Sequence, residues 1–204
     1  AEYEIDNVPY SGKTRHHYTD FSSPSVVRDP DKCILCGRCV RVCEEVQGVS
    51  AIDFTARGFD TMVLPAFEWD LSETECVNCG QCVVSCPVGA LHENSSVANV
   101  VKTLFEGNKF LVAQVAPAIR ISIGEFYGLE VGEDVTGRVA AALRRIGFDK
   151  VLDTDFTADL TIMEEGTELV DRIQNDGVLP MFTSCCPGWI KYVEHNYPEF
   201  LDNL

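Results

Sequence analysis

The stretches KCILCGRCVRVCEEVQGVSAI (residues 32–52) and ECVNCGQCVVSCPVGAL (residues 75–91) decide how this chain folds. Each carries four cysteines at the spacing C-x2-C-x2-C-x3-C: Cys33, Cys36, Cys39 and Cys43 in the first, Cys76, Cys79, Cys82 and Cys86 in the second, with Pro87 directly after. Thiolates are soft ligands that suit iron–sulfur units, and this double spacing is that of proteins holding two [4Fe–4S] clusters. Three closely spaced cysteines wrap one corner of a cube, so the fourth ligand comes from farther along the chain. In two-cluster ferredoxins the fourth cysteine of each run crosses to the other cluster. The expected sets are therefore Cys33, Cys36, Cys39 and Cys86 for one cluster, and Cys76, Cys79, Cys82 and Cys43 for the other. A zinc ribbon would show two CxxC pairs rather than two runs of four. A disulfide framework belongs to small secreted domains, not to 204 residues that are 46% hydrophobic.

Working outward, the two runs are halves of an internal repeat: Gly37 matches Gly80, Ile34 matches Val77 and Val40 matches Val83. Each half reads as a cluster loop entering a short helix, with the glycine allowing close backbone approach. AIDFTARGFDTMVLPAF, between them, reads as a hairpin turning near Arg57 and Gly58. Residues 25–96 are thus expected to form an α+β, ferredoxin-like domain with two [4Fe–4S] clusters. Residues 1–24, polar and punctuated by Pro9, Gly12 and Ser22-Ser23-Pro24, read as an extended tether. His16 and His17 read as a solvated pair.

After residue 95 the pattern changes. Val97, Val100, Val101, Leu104 and Phe105 have helical spacing behind a serine cap, and Gly107 ends the helix. FLVAQVA (110–116) is a short apolar run stopped by Pro117. Thr136 to Ile146 reads as a helix stopped by Gly147, KVLD (150–153) as a strand, 157–175 as a long helix ended by Gly177, and VLPMFTS (178–184) as a third strand. Strands alternating with helices predict an α/β parallel-sheet lobe over 97–204, whose ligands collect at the carboxyl ends of the strands. Those ends are Ala116–Pro117, Asp153–Thr154 and Ser184-Cys185-Cys186. The last two cysteines therefore lie where such a sheet keeps its chemistry, although adjacent cysteines also occur as buried filler. Glu165, Glu168 and Arg172 fall on one helical face at i,i+3 and i,i+4, a spacing that suits a proton relay or an ordinary surface ion pair.

The formal charge of −16 argues against nucleic acid or an anionic membrane as a partner and allows steering of a cationic one. No apolar run is long enough for a membrane span. The opening AEYEIDNVPYSGKTRHH has no apolar segment of the signal-peptide kind. Cysteines of this number suit a reducing, cytoplasmic compartment.

The two cysteine runs, VAQVAPAIRISIGE (112–125), DVTGRVAAALRRIGFDKVLD (134–153), ADLTIMEEGTEL (158–169) and TSCCPGW (183–189) together resemble the iron-only, [FeFe]-type hydrogenases over about residues 30–204. The resemblance implies reversible interconversion of dihydrogen with protons and electrons. It implies an H-cluster, a [4Fe–4S] unit joined to a di-iron unit with CO, cyanide and a bridging amine-dithiolate. By position, Cys186 resembles the ligand of the H-cluster cubane and Cys185 the thiol that passes protons to the bridging amine. Glu165, Glu168 and Arg172 resemble the family's proton relay, and Ala116 and Pro117 backbone lining the di-iron site. Ala118 departs from members with serine there, which would bond a cyanide ligand. Phe182, Trp189 and Met163 match positions that shield the site or fill the core, whereas His92 and His195 lie outside the matched motifs and read as structural.

Ten cysteines less the eight of the two runs leave Cys185 and Cys186, so one thiolate is offered to the H-cluster. The family's other ligands lie in later motifs, so these residues alone are not expected to be active, and the remainder of the catalytic domain is an expected partner. SSPSVVRDPDKC (22–33) resembles the entry to the ferredoxin domain of subunits from NAD-linked hydrogenase complexes, which implies other subunits or a ferredoxin as redox partner. A non-catalytic electron-transfer module and a hydrogenase-like iron–sulfur assembly protein are the competing expectations.

Overall fold

In the computed structural model, the described residues are Tyr10, Gly12 and 16–204. Most of the expected tether, residues 1–9, 11 and 13–15, lies outside them. The chain divides into two compact units: Ala1–Ser95 with Ser184–Glu199, and Ser96–Thr183 with Phe200–Leu204. The units do not follow chain order, because the residues after the cysteine pair group with the cysteine-run half.

The first unit is built on the repeat. Helix α1 (Arg38–Arg41) continues into a π-type turn over Val42–Val46, and its counterpart is α2 (Gln81–Ser85). Both start from a left-handed glycine, Gly37 at φ 70° and Gly80 at φ 73°. A Cβ on Gly37 would lie 3.0 Å from the Phe54 ring, so the glycine there is steric as well as conformational. The repeat extends to Leu35 (φ 57°) and Asn78 (φ 59°), each two residues after the first cysteine of its run. Strand β1 (Val26–Arg28) pairs antiparallel with β4 (Leu91–Glu93), bringing the ends of the region together. The predicted hairpin is β2 (Asp53–Thr55) and β3 (Met62–Leu64), with Arg57 and Gly58 in its turn. The core joins Val26, Val40, Ile52, Val63, Leu71 and Leu91 to Cys39, and Cys33, Cys43, Cys76, Cys82 and Cys86 pack against it. Six of the eight run thiols thus belong to the core or pack against it, while Cys36 and Cys79 are exposed.

The segment before β1 is anchored: Asp20 exchanges backbone hydrogen bonds with Arg28, and the Tyr18 hydroxyl donates to Asp70. His16 and the His17 backbone N–H bond the Asp31 carboxylate.

In the second unit, α3 (Val97–Glu106) ends at left-handed Gly107, as its sequence predicts. Strands β5 (Val112–Val115) and β6 (Lys150–Asp153) pair in parallel, Val112 opposite Lys150 and Val115 opposite Asp153. Between them run α4 (Ile119–Phe126) and α5 (Thr136–Ile146), and after them α6 (Thr154–Gln174). Helix α6 begins earlier than expected because the Asp153 carboxylate caps the Asp155 N–H. It ends at Asn175 and left-handed Asp176, not at Gly177.

The third strand predicted at 178–184 is absent, and those residues are irregular. Pro180 has no N–H to give a ladder. The neighbouring groups bond elsewhere: Pro180 C=O accepts from Asn203 Nδ2, and Phe182 N–H donates to Asn203 C=O. Phe182 also meets Phe200 edge-on at 5.9 Å. Among the described residues, Val135 is the one buried apolar side chain of this unit, whereas Phe105, Phe126, Val131 and Ile162 are exposed. No helix among the described residues is long and apolar enough to cross a membrane.

Candidate functional site

The spatial grouping of the thiols crosses the sequence grouping. Cys33, Cys36 and Cys39 line one cavity together with Cys86 of the other run. Cys76, Cys79 and Cys82 share their electrostatic surroundings with Cys43 of the first run. The crossing follows from the fold, since α1 and α2 bring the last cysteine of each run beside the other run's loop.

The thiols differ in their readiness to ionise. Burial pushes Cys39 up to about 11 and Cys82 up to about 12, reinforced by neighbouring cysteines. Cys76 is raised by burial, with the Asn78 N–H and Lys191 acting against it. For Cys86 burial also acts upward, but the N–H groups of Leu91, Val88, Ala90 and Gly89 outweigh it and hold the thiol below its ordinary value. N–H groups also reach Cys33 Sγ from Leu35 at 3.4 Å and Cys43 Sγ from Ala51 at 3.3 Å. These donors are what a sulfur-ligated anion needs around it.

Arg28 lines the cavity of Cys33, Cys36, Cys39 and Cys86. It is 5% exposed and ion-paired with Asp20 at 3.3 Å, yet its buried Nε–H has no partner among the described residues. A four-thiol cradle with an orphaned donor fits a cubane, whose sulfurs accept hydrogen bonds.

Cys185 and Cys186 are both exposed and belong to the first unit. Cys186 is the N-cap residue of α7 (Pro187–Asn196), whose first position is Pro187. Its own N–H is held by Ser184 Oγ at 3.0 Å. The helix lies against the second cysteine loop, with Cys186, Gly188, Trp189 and Tyr192 sharing a groove with Gln47, Val77 and Cys79. His195, read from sequence as structural, pairs with Glu75 at 2.5 Å and pins the helix beside Cys76. The sequence reading did not include α7, although Pro187 at a helix start followed by apolar spacing was a legible signal.

The remaining candidates lie in the second unit. Ala116 and Pro117 line a cavity at the carboxyl ends of β5 and β6, with Arg120, Thr136, Arg144 and Asp153. Glu165 is half-buried on α6, while Glu168 accepts from Arg172 Nε at 2.9 Å. The Arg172 guanidinium also reaches the carbonyls of Val178, Asp202 and Asn203 at 3.4 Å each. That makes Arg172 a clamp between Val178 of the irregular segment and residues 202–204. Met163 is 69% exposed, whereas Phe182 is half-buried.

Comparison with known proteins divides the chain in sequence order, not by the two units. Residues 109–204 match the iron only hydrogenase large subunit, C-terminal domain, and residues 19–90 match a 4Fe-4S dicluster domain. A subunit of an NADP-reducing hydrogenase from Solidesulfovibrio fructosivorans is 49% identical over 204 residues, covering 97% of this chain and 35% of that protein. The chain belongs to the iron-only hydrogenase family. Iron hydrogenase 1 of Clostridium pasteurianum is 45% identical over 196 residues, 96% of this chain and 34% of that one. This hydrogenase-family chain therefore spans about a third of the length of those relatives. A probable cytosolic Fe-S cluster assembly factor of Aedes aegypti is 29% identical over 144 residues, 65% of this chain and 30% of that protein. Among solved structures, [FeFe]-hydrogenase HydA1 from Chlamydomonas reinhardtii (variant C377H) matches 53% of this chain and 29% of its own at 45% identity and a TM-score of 0.48.

Proposed function

We propose that this chain carries the electron relay and part of the catalytic lobe of a hydrogenase that interconverts dihydrogen with protons and electrons. The observation that carries the reading is the placement of Cys186 in one groove with Cys79, at the head of a helix fixed to the second cysteine loop. A ligand of the catalytic cluster held beside a ligand of the relay makes a short path for electrons. Cys33, Cys36, Cys39 and Cys86 would hold one cubane, and Cys76, Cys79, Cys82 and Cys43 the other. The H-cluster supplies the chemistry of hydrogen itself.

This chain's own residues then divide the rest of the work. Cys186 must stay a thiolate. The exposed Cys185 thiol would pass protons to the bridging amine of the H-cluster. Glu165 and Glu168 would supply protons to it, and Arg172, tied to four carbonyls, would fix Glu168 in place and not carry protons itself. Partner subunits, a cytoplasmic setting and a further part of the catalytic lobe over the exposed apolar faces of the second unit complete the reading. The assembly-factor reading is weaker, because such relatives are 25–30% identical against 49% for the hydrogenase subunit.

The test compares the adjacent cysteines in the complete enzyme. Cys186→Ser should lose or distort the catalytic cubane, since a hydroxyl replaces a soft thiolate poorly. Cys185→Ser should keep its iron and lose turnover by on the order of a hundredfold or more, and Cys185→Asp should recover part of it. Iron loss in Cys185→Ser with full iron in Cys186→Ser would reverse the two roles.

A further inference from the structure

The buried ion pair beside the first cavity has one group that no described residue uses. Asp20, 1% exposed, receives the Ser22 N–H on one carboxylate oxygen and the Leu71 N–H and Arg28 Nη2 on the other. Its charge is satisfied from three sides. Arg28 is fixed by that pair and by backbone bonds to Asp20 at 2.8 and 3.0 Å. Its Nε–H has no acceptor among the described residues, although the atom is buried. A charged group with an unpaired buried donor is costly, and folds seldom keep one without a reason. The cavity that Arg28 lines is walled by Cys33, Cys36, Cys39 and Cys86.

We propose that Arg28 Nε–H donates a hydrogen bond to a sulfur of the cubane held by those four cysteines and thereby raises its reduction potential. The inference rests on the cubane assignment above. One electron added to a cluster increases negative charge on its sulfurs, and a donor fixed against them stabilises that reduced form more than the oxidised one. Asp20 holds the guanidinium immobile, so the donor is in place before the electron arrives. The two members of the ion pair therefore act on the cluster with opposite signs, Arg28 favouring reduction and the Asp20 carboxylate opposing it.

The sign difference separates tuning from mere structure. Redox titration followed by EPR on the cluster-loaded protein should show one of the two relay clusters harder to reduce in Arg28→Met. The expected change is at least tenfold in the reduction equilibrium, 59 mV for one electron. Asp20→Asn removes the charge but keeps an oxygen that still accepts from Arg28 Nη2 and Leu71 N–H, so the donor stays in place and that potential should be unchanged or rise. If both substitutions lower the potential, or neither moves it, Arg28 is only a structural partner of Asp20 and the proposal fails. Pulsed EPR of the reduced protein carrying arginine labelled with 15N at Nε, compared with Arg28→Met, decides the matter, because Arg38 and Arg41 also stand beside the first run; a coupling that persists in Arg28→Met comes from one of those and overturns the proposal. A 15N coupling on one cluster is expected, and its absence with the cubane present overturns this inference alone. A first site without a cubane overturns the assignment beneath it as well.

Discussion

Cys82 and Cys86 belong to one run of four, and the fold treats them in opposite ways. Burial lifts Cys82 to about 12, while four backbone N–H groups hold Cys86 below its ordinary value despite its burial. Only the thiolate attacks an alkylating agent, so a raised pKa means slower reaction at a given pH. In cluster-free protein at pH 8, iodoacetamide should modify Cys86 before Cys39 and Cys82, by on the order of tenfold or more. Peptide mapping over time measures the order, and equal rates would mean that the cradle keeps its shape only when loaded. The identity of all eight thiols was legible in the sequence because their spacing is itself the signal. The cavity that Cys86 walls together with Cys33, Cys36 and Cys39 has the grouping that the expected crossing requires. Arg28 was not singled out. Its one signal is a charged residue directly after the buried Val26 and Val27, and its unpaired Nε–H exists only in three dimensions.

Two helical glycines make opposite demands on their elements. Gly166, inside the exposed stretch of α6, has nothing within 4 Å of where a Cβ would stand. Gly188, at the second position of α7, would place a Cβ 3.2 Å from the Val77 carbonyl oxygen and 3.7 Å from Cys79 Cα. Alanine stabilises a helix interior by about 1 kcal/mol over glycine. Crowding a well-packed site costs about 1–3 kcal/mol. Gly166→Ala should therefore slow amide exchange in α6, and Gly188→Ala should speed it in α7 by loosening the helix from the cysteine loop. A slower α7 in Gly188→Ala would mean that the loop yields and the contact does not position Cys186. At this scale the sequence was legible where periodicity is local: the β2–β3 hairpin, α3, α5, β5 and β6 lie where their patterns put them. VLPMFTS failed as a strand because an apolar run says nothing about partners. Pro180 cannot donate, and the bonds that settle the segment come from Asn203 and Arg172.

At the scale of the molecule, long-range grouping is what the sequence least revealed. Ser184–Glu199 joins a unit whose other residues all precede Ser96, and no period or motif announces that Glu75 will meet His195. Charge, by contrast, is legible from composition alone. The formal charge of −16 surrounds the relay thiols with a field that attracts cations and repels anions, and salt screens it over about 8 Å at physiological ionic strength. Electron exchange between the reduced relay and a dicationic viologen should therefore slow as salt rises from about 0.02 to 0.5 M, while exchange with an anionic dye should quicken. Stopped-flow rates with both mediators test the sign. Two rates that fall together would point to salt acting on the fold, and two that stay flat would place the electron exit where the acidic surface has no influence. Opposite slopes would show that this surface selects its redox partner by charge before any contact is made, which favours a partner that presents lysine or arginine around its own redox centre.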